Sequence, residues 1–143
     1  MAPNYKALEA LVNIDSPTGY TTQACQFIVE ELTRIGYKPE LTNKGAVRCK
    51  LGENPTLAIA AHVDTLGAIV SGIKSNGTLS FSPLGGLLLT SAEGEYVNII
   101  TLSGKVYTGT LLFNNPSAHA NKDRETTHRT TDNMHIRRDE EVY

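Results

Sequence analysis

The stretch Leu57-Ala58-Ile59-Ala60-Ala61-His62-Val63-Asp64-Thr65 decides how the chain is read. Its first part, Leu57 to Ala61, is apolar at every position. Such a run suits a β-strand buried on both faces, as in a helix-covered sheet. A buried helix is the competitor, but the run is short for one. Where the apolar run ends, His62 and Asp64 stand two residues apart, so in a strand they share a face. Open α/β sheets bind ligands at the carboxyl ends of their strands. Imidazole is a common zinc ligand, and a ligating histidine needs a carboxylate or carbonyl to fix its tautomer. Asp64 stands where that partner would be. The plainer reading is a histidine that caps a strand, and His-x-Asp is too short a pattern to separate the two.

Upstream of this stretch the chain reads as α/β. Tyr5, Leu8, Leu11 and Val12 recur at helical spacing, and Ser16-Pro17-Thr18-Gly19 breaks that helix. A second helix follows, with Thr21 or Thr22 as N-cap, an apolar stripe of Ala24, Phe27, Ile28, Leu32 and Ile35, and Gly36 as its stop. Tyr37 to Leu41 contains Pro39 and predicts an edge strand. Ala46 to Leu51 alternates apolar with charged and predicts a strand with one wet face.

Downstream, beyond Gly67, the helix signals stop. Ala68 to Ile73 and Thr78 to Phe81 flank Asn76-Gly77, and Val97 to Leu102 and Lys105 to Leu112 flank Ser103-Gly104. Both patterns predict hairpins. Short strands joined by tight turns predict a small sandwich or barrel. Leu87-Leu88-Leu89 reads as a core strand or, if exposed, a contact patch. Asn114 to Asn133 is almost wholly polar and predicts a solvated or mobile loop. Met134 to Arg138 predicts one more strand. The fold expected is therefore an α/β segment over residues 1–66, part of a helix-covered mixed sheet, followed by an all-β barrel-like domain over 67–143.

Composition narrows the classes. The 143 residues are 40% hydrophobic and 20% charged with a net charge of -2, which is globular and gives no general attraction for nucleic acid or anionic membranes. Arg124, Arg129, Arg137 and Arg138 alternate with Asp123, Glu125, Asp132, Asp139 and Glu140, so no basic stripe builds up. No apolar run approaches the roughly 20 residues of a membrane span, and the first residues lack a signal-peptide core. Two cysteines, Cys25 and Cys49, are too few for a disulfide scaffold and read as buried thiols, pointing to a cytoplasmic protein. His119, His128 and His135 have no metal-ligand spacing and read as solvated.

The stretch Ala60-Ala61-His62-Val63-Asp64-Thr65-Leu66-Gly67 resembles the first metal-binding motif of the co-catalytic metallo-aminopeptidases. The closest branch contains the glutamyl and tetrahedral (TET) aminopeptidases. Ser16-Pro17-Thr18-Gly19 resembles that family's early loop. Ser75-Asn76-Gly77, Ser82-Pro83-Leu84-Gly85-Gly86, Glu93-Gly94-Glu95-Tyr96 and Gly104-Lys105-Val106-Tyr107-Thr108-Gly109 resemble successive stretches of its inserted β domain. The order and spacing of these motifs carry the resemblance.

The resemblance implies a catalytic α/β domain interrupted by a β-barrel used in oligomerisation. It implies His62 as a metal ligand and Asp64 as the carboxylate that orients it. It implies two divalent metals, zinc or cobalt, a peptide substrate and a homo-oligomer. The family's other ligands and its general-base glutamate follow the inserted domain, and no residue here matches them. Asp123, Glu125, Asp132, Glu140 and Glu141 fall within what resembles the insert and are not assigned as ligands. The expectation is thus the N-terminal portion of a two-metal aminopeptidase, truncated and inactive by itself. The alternatives are a non-catalytic oligomerisation or binding module, and a carboxypeptidase-like exopeptidase, against which the insert motifs argue.

Overall fold

The computed structural model describes residues 5–139, which form two compact units divided between Leu66 and Gly67. Glu140 and Glu141 lie outside the described residues.

In the first unit, α1 (Tyr5–Val12) precedes α2 (Thr22–Arg34) and a two-stranded antiparallel sheet of β1 (Pro39–Leu41) and β2 (Val47–Cys49). Helix α2 packs against α1 and both strands, burying Ala24 and Cys25. Thr21 occupies the N-cap position, but its hydroxyl makes no cap hydrogen bond. The other end is capped by backbone hydrogen bonds. Gly36 N–H donates to the Thr33 carbonyl at 3.0 Å and Tyr37 N–H to the Leu32 carbonyl at 3.0 Å. This paired arrangement is the Schellman motif, and it requires the left-handed φ of +92° that Gly36 adopts.

The helix-covered mixed sheet expected for residues 1–66 is not formed by the described residues. Leu57 to Ala61 belongs to no strand, and Leu57 and Ile59 are 78% and 90% exposed. The physical reason is direct. A strand of this kind needs neighbours that take its backbone hydrogen bonds and cover both faces, and the hairpin β1–β2 supplies neither.

In the second unit, β3 (Gly67–Ile73), β4 (Leu79–Leu84), β5 (Tyr96–Ile100), β6 (Val106–Phe113) and β7 (Met134–Arg138) form one antiparallel sheet. Its order is β3-β4-β7-β6-β5. The core is Leu79, Phe81, Leu111, Phe113, Met134 and Ile136. β4, β6 and β7 each contribute two residues spaced by two, because successive side chains of a strand point to opposite faces. The register agrees: Leu111 and Leu79 both lie opposite Ile136, and Phe113 lies opposite Met134. The short helix α3 (Leu89–Ala92) brings Leu89 and Ala92 against this core. Leu87-Leu88-Leu89 is therefore not a strand. It leads into α3, and Leu88 is left 69% exposed.

The expected barrel is not closed among the described residues. β3 and β5 stand at opposite ends of the strand order, and the ladder between β4 and β7 is short, pairing Leu79 with Ile136. The result is a curled antiparallel sheet with few helices.

Both predicted hairpins form, and β1–β2 uses the same turn. Lys74 N–H donates to the Thr78 carbonyl at 2.8 Å and Gly77 N–H to the Lys74 carbonyl at 2.9 Å. The bonds from Thr101 to Lys105 and from Gly104 to Thr101 repeat this pattern at 2.9 Å, as do those around Thr42 and Gly45. This is the three-residue loop that ends on a left-handed glycine.

The connection over 114–133 is largely exposed, as its composition predicts, but it is pinned at one side chain. Arg129, whose side chain is 13% exposed, donates to Glu93 Oε2 at 2.6 Å and to the carbonyls of Arg124 and Thr127. Its guanidinium lies 4.2 Å from the centroid of the Phe113 ring. The composition of the segment hides this, because the anchoring group is one charged side chain among many.

Gly77 has φ +80° and open space where a Cβ would point, whereas a Cβ on Gly109 would lie 2.7 Å from the Arg137 carbonyl oxygen. Gly77→Ala is expected to destabilise the chain by about 1–2 kcal/mol, the cost of a left-handed residue. Gly109→Ala costs more, because sheet backbone must move. Urea unfolding of both variants checks the order, and equal midpoints would contradict it.

Candidate functional site

The His-x-Asp pair is held by local contacts. Thr65 N–H donates to the Ser16 carbonyl at 2.7 Å, and Pro17 and Thr65 form an isolated parallel bridge. Tyr20 N–H then donates to the Pro17 carbonyl at 2.7 Å. Gly19 has φ +90°, the left-handed third position of a type II turn. The loop Ser16–Tyr20 is thereby folded back beside Asp64.

His62 Nδ1 lies 2.9 Å from the Asp64 carbonyl oxygen and 3.1 Å from Asp64 Oδ1. Both partners are acceptors, so in the neutral ring the hydrogen is assigned to Nδ1 and Nε2 keeps its lone pair. The His62 side chain is 86% exposed, which leaves that lone pair open to a ligand. Asp64 Oδ2 accepts from Thr18 Oγ1 at 2.7 Å. The Thr18 bond is the largest cause holding the Asp64 carboxyl below its ordinary value, ahead of a smaller opposing desolvation. A backbone hydrogen bond and nearby His62 lower it further.

The structure brings His62 and Asp64 into contact, although the strand whose shared face was expected to align them does not form. Thr18 is a further member of the site, which the sequence presents only as part of a loop motif. No sequence pattern links positions 18 and 64; the Thr65 to Ser16 hydrogen bond, the Pro17–Thr65 bridge and the turn at Gly19 bring them together.

Other candidates stay apart. Among the described residues there is no group of three or more His, Cys, Asp or Glu side chains that could hold a metal ion. His135 on β7 is bonded at Nδ1 to Asn114 Oδ1 at 2.7 Å. Partial burial lowers its pKa, assisted by the positive charges of Lys74 and Arg137. Cys25 is buried, Cys49 is half-buried, and both are free thiols. No helix of the described residues is long and apolar enough to cross a membrane.

Comparison with known proteins defines the class. Residues 45–143 match the M42 glutamyl aminopeptidase family. A relative from Bacillus subtilis (strain 168), named "Putative aminopeptidase YhfE", is 40% identical over 139 residues, covering 95% of this chain and 40% of that protein. The fold matches the TET aminopeptidase of the archaeon Thaumarchaeota SCGC AB-539-E09 with a TM-score of 0.79 at 24% identity, covering 92% of this chain and 37% of that one. It also matches the Pyrococcus horikoshii TET1 peptidase with a TM-score of 0.77 at 23% identity, over 93% of this chain and 39% of that one. The chain belongs to the M42 glutamyl aminopeptidase family, and spans about two fifths of the length of the relative from Bacillus subtilis.

The charge state of Asp64 gives a test by pH. Its pKa is lowered by folding, so its contacts stabilise the folded chain at neutral pH and that contribution is lost as pH falls through the lowered value. Carboxyl-carbon NMR is expected to show Asp64 titrating below the ordinary 3.8; a midpoint at or above that value contradicts the geometry.

Proposed function

We propose that this chain is part of a two-metal aminopeptidase that hydrolyses N-terminal residues from peptides, with His62 as a metal ligand through Nε2. The observation that carries the reading is the pair of acceptors at Nδ1, in a member of the M42 family. Asp64 orients the ring and strengthens the donor power of Nε2 by holding the Nδ1 hydrogen. Zinc or cobalt, when bound, would supply hydroxide near neutral pH and polarise the scissile carbonyl.

The donor set of the described residues fits one ligand position and not a complete centre. A zinc site takes about three or more protein ligands, and His62 has no second ligand beside it in a group of that kind. No catalytic step is therefore assigned to these residues. The remaining ligands and the general base belong, in this reading, to the rest of a whole cytoplasmic enzyme.

Self-association is part of the same proposal. The Pyrococcus horikoshii TET1 peptidase can assemble into a tetrahedron or a large octahedral shell. In the present chain, the two end strands of the β unit expose large apolar side chains: Ile69 and Ile73 on β3, and Tyr96 on β5. Unpaired edges with apolar residues favour pairing with another copy. The rival reading, a binding module without catalysis, is favoured by a β unit that has its own core while the candidate site has a single ligand.

The 143-residue chain is expected to bind zinc weakly and to leave aminoacyl-nitroanilides intact. Calorimetry and a chromogenic assay check this, and tight stoichiometric binding with turnover would refute it. In the whole enzyme, Asp64→Asn is expected to lower metal affinity or activity by about 10–100-fold, and His62→Ala by more. Full activity in the His62 variant would leave the binding-module reading in its place.

A further inference from the structure

We infer that Thr18 is a positioning residue for His62: its hydroxyl holds the Asp64 carboxylate so that Oδ1 stays against Nδ1 of the ring. The inference rests on the metal-ligand reading of His62 and adds to it the group that keeps the ring in one tautomer.

The need for such a group follows from the geometry. His62 and Asp64 are neighbours in sequence and exposed to water, so their 3.1 Å contact is open to competition from solvent. An aspartate carboxylate turns freely about its last bond. A carboxylate fastened at Oδ2 has Oδ1 left in a fixed direction. Thr18 supplies that fastening from 46 positions away in the chain, with an O–H···O⁻ bond of 2.7 Å. Charge-assisted bonds of this type are the stronger kind.

Thr18 is itself well fixed for the task. It occupies the second position of the Pro17–Tyr20 turn, whose Gly19 has the left-handed φ. The Thr65 to Ser16 hydrogen bond ties the start of that turn to the residue after Asp64. A β-branched side chain has few χ1 choices, so the backbone sets the direction of the hydroxyl. The chain of contacts runs from Thr18 through Asp64 to His62 and ends at the free Nε2.

The Asp64 carbonyl also accepts from Nδ1, at 2.9 Å, so loss of Thr18 should weaken the tautomer preference rather than abolish it. Nitrogen-15 NMR of the metal-free chain at about pH 9, where imidazole is neutral, reads the ratio of the Nδ1–H to the Nε2–H form directly. Thr18→Val, which keeps the shape and removes the donor, is expected to lower that ratio at His62 about threefold, part of the worth of one hydrogen bond. Thr18→Ser should restore it. His135, held by Asn114 in the other unit, should keep its ratio in both variants and so reports that the β unit is intact. An unchanged His62 ratio in Thr18→Val overturns the positioning role. A fully active His62→Ala whole enzyme overturns instead the metal assignment on which the role depends, so the two failures are told apart.

Discussion

The functional reading depends on one carboxylate. A histidine can offer a metal one nitrogen only when the hydrogen is kept on the other. Asp64 does this with its carbonyl and with Oδ1, while its second oxygen is engaged by Thr18. The same loop that presents Thr18 also bonds Thr65, so the backbone on the C-terminal side of Asp64 is held along with its side chain.

The β unit depends on a different constraint, the two-residue period of a strand. Leu79 and Phe81, Leu111 and Phe113, and Met134 and Ile136 reach one face because each pair is spaced by two. This places the burden on the three central strands, β4, β7 and β6. β7 enters between its neighbours only after the long 114–133 connection, which therefore has to be secured. Arg129 secures it through Glu93 at the end of α3 and through the face of Phe113, a core residue. The polar connection and the apolar core thus meet at one guanidinium.

Local signals were legible in the sequence, and signals that depend on distant partners were not. Gly36, Gly77 and Gly104 marked a helix end and two turns correctly because a left-handed residue is a local demand. The nearness of His62 and Asp64 was legible because they stand two residues apart, though not by the strand expected to align them, and the family was legible through its ordered motifs. Thr21 holds the N-cap position that the sequence offers, but the hydroxyl bond that makes threonine a good cap there is not made. Closure of the barrel was not legible: alternation and turns specify strands, but closure depends on which edges meet, and among the described residues β3 and β5 stay at opposite ends of the order. Thr18 and Arg129 were missed as anchors because their partners, Asp64 and Glu93, are remote in sequence and typical of any surface.

The Leu57 to Ala61 run shows why the site and the strand leading to it must be judged separately. Its apolar composition asks for cover on both faces, and the structure leaves Leu57 and Ile59 exposed. Were His62 positioned by that strand, the site would be as undefined as the strand is. Instead every contact that orients the ring lies at or after His62 or in the Ser16–Tyr20 loop. The geometry of the pair is accordingly a property of a turn and a carboxylate rather than of a sheet. A larger sheet would add burial around the pair, which strengthens each of its hydrogen bonds by lowering the local dielectric, without having to create the arrangement.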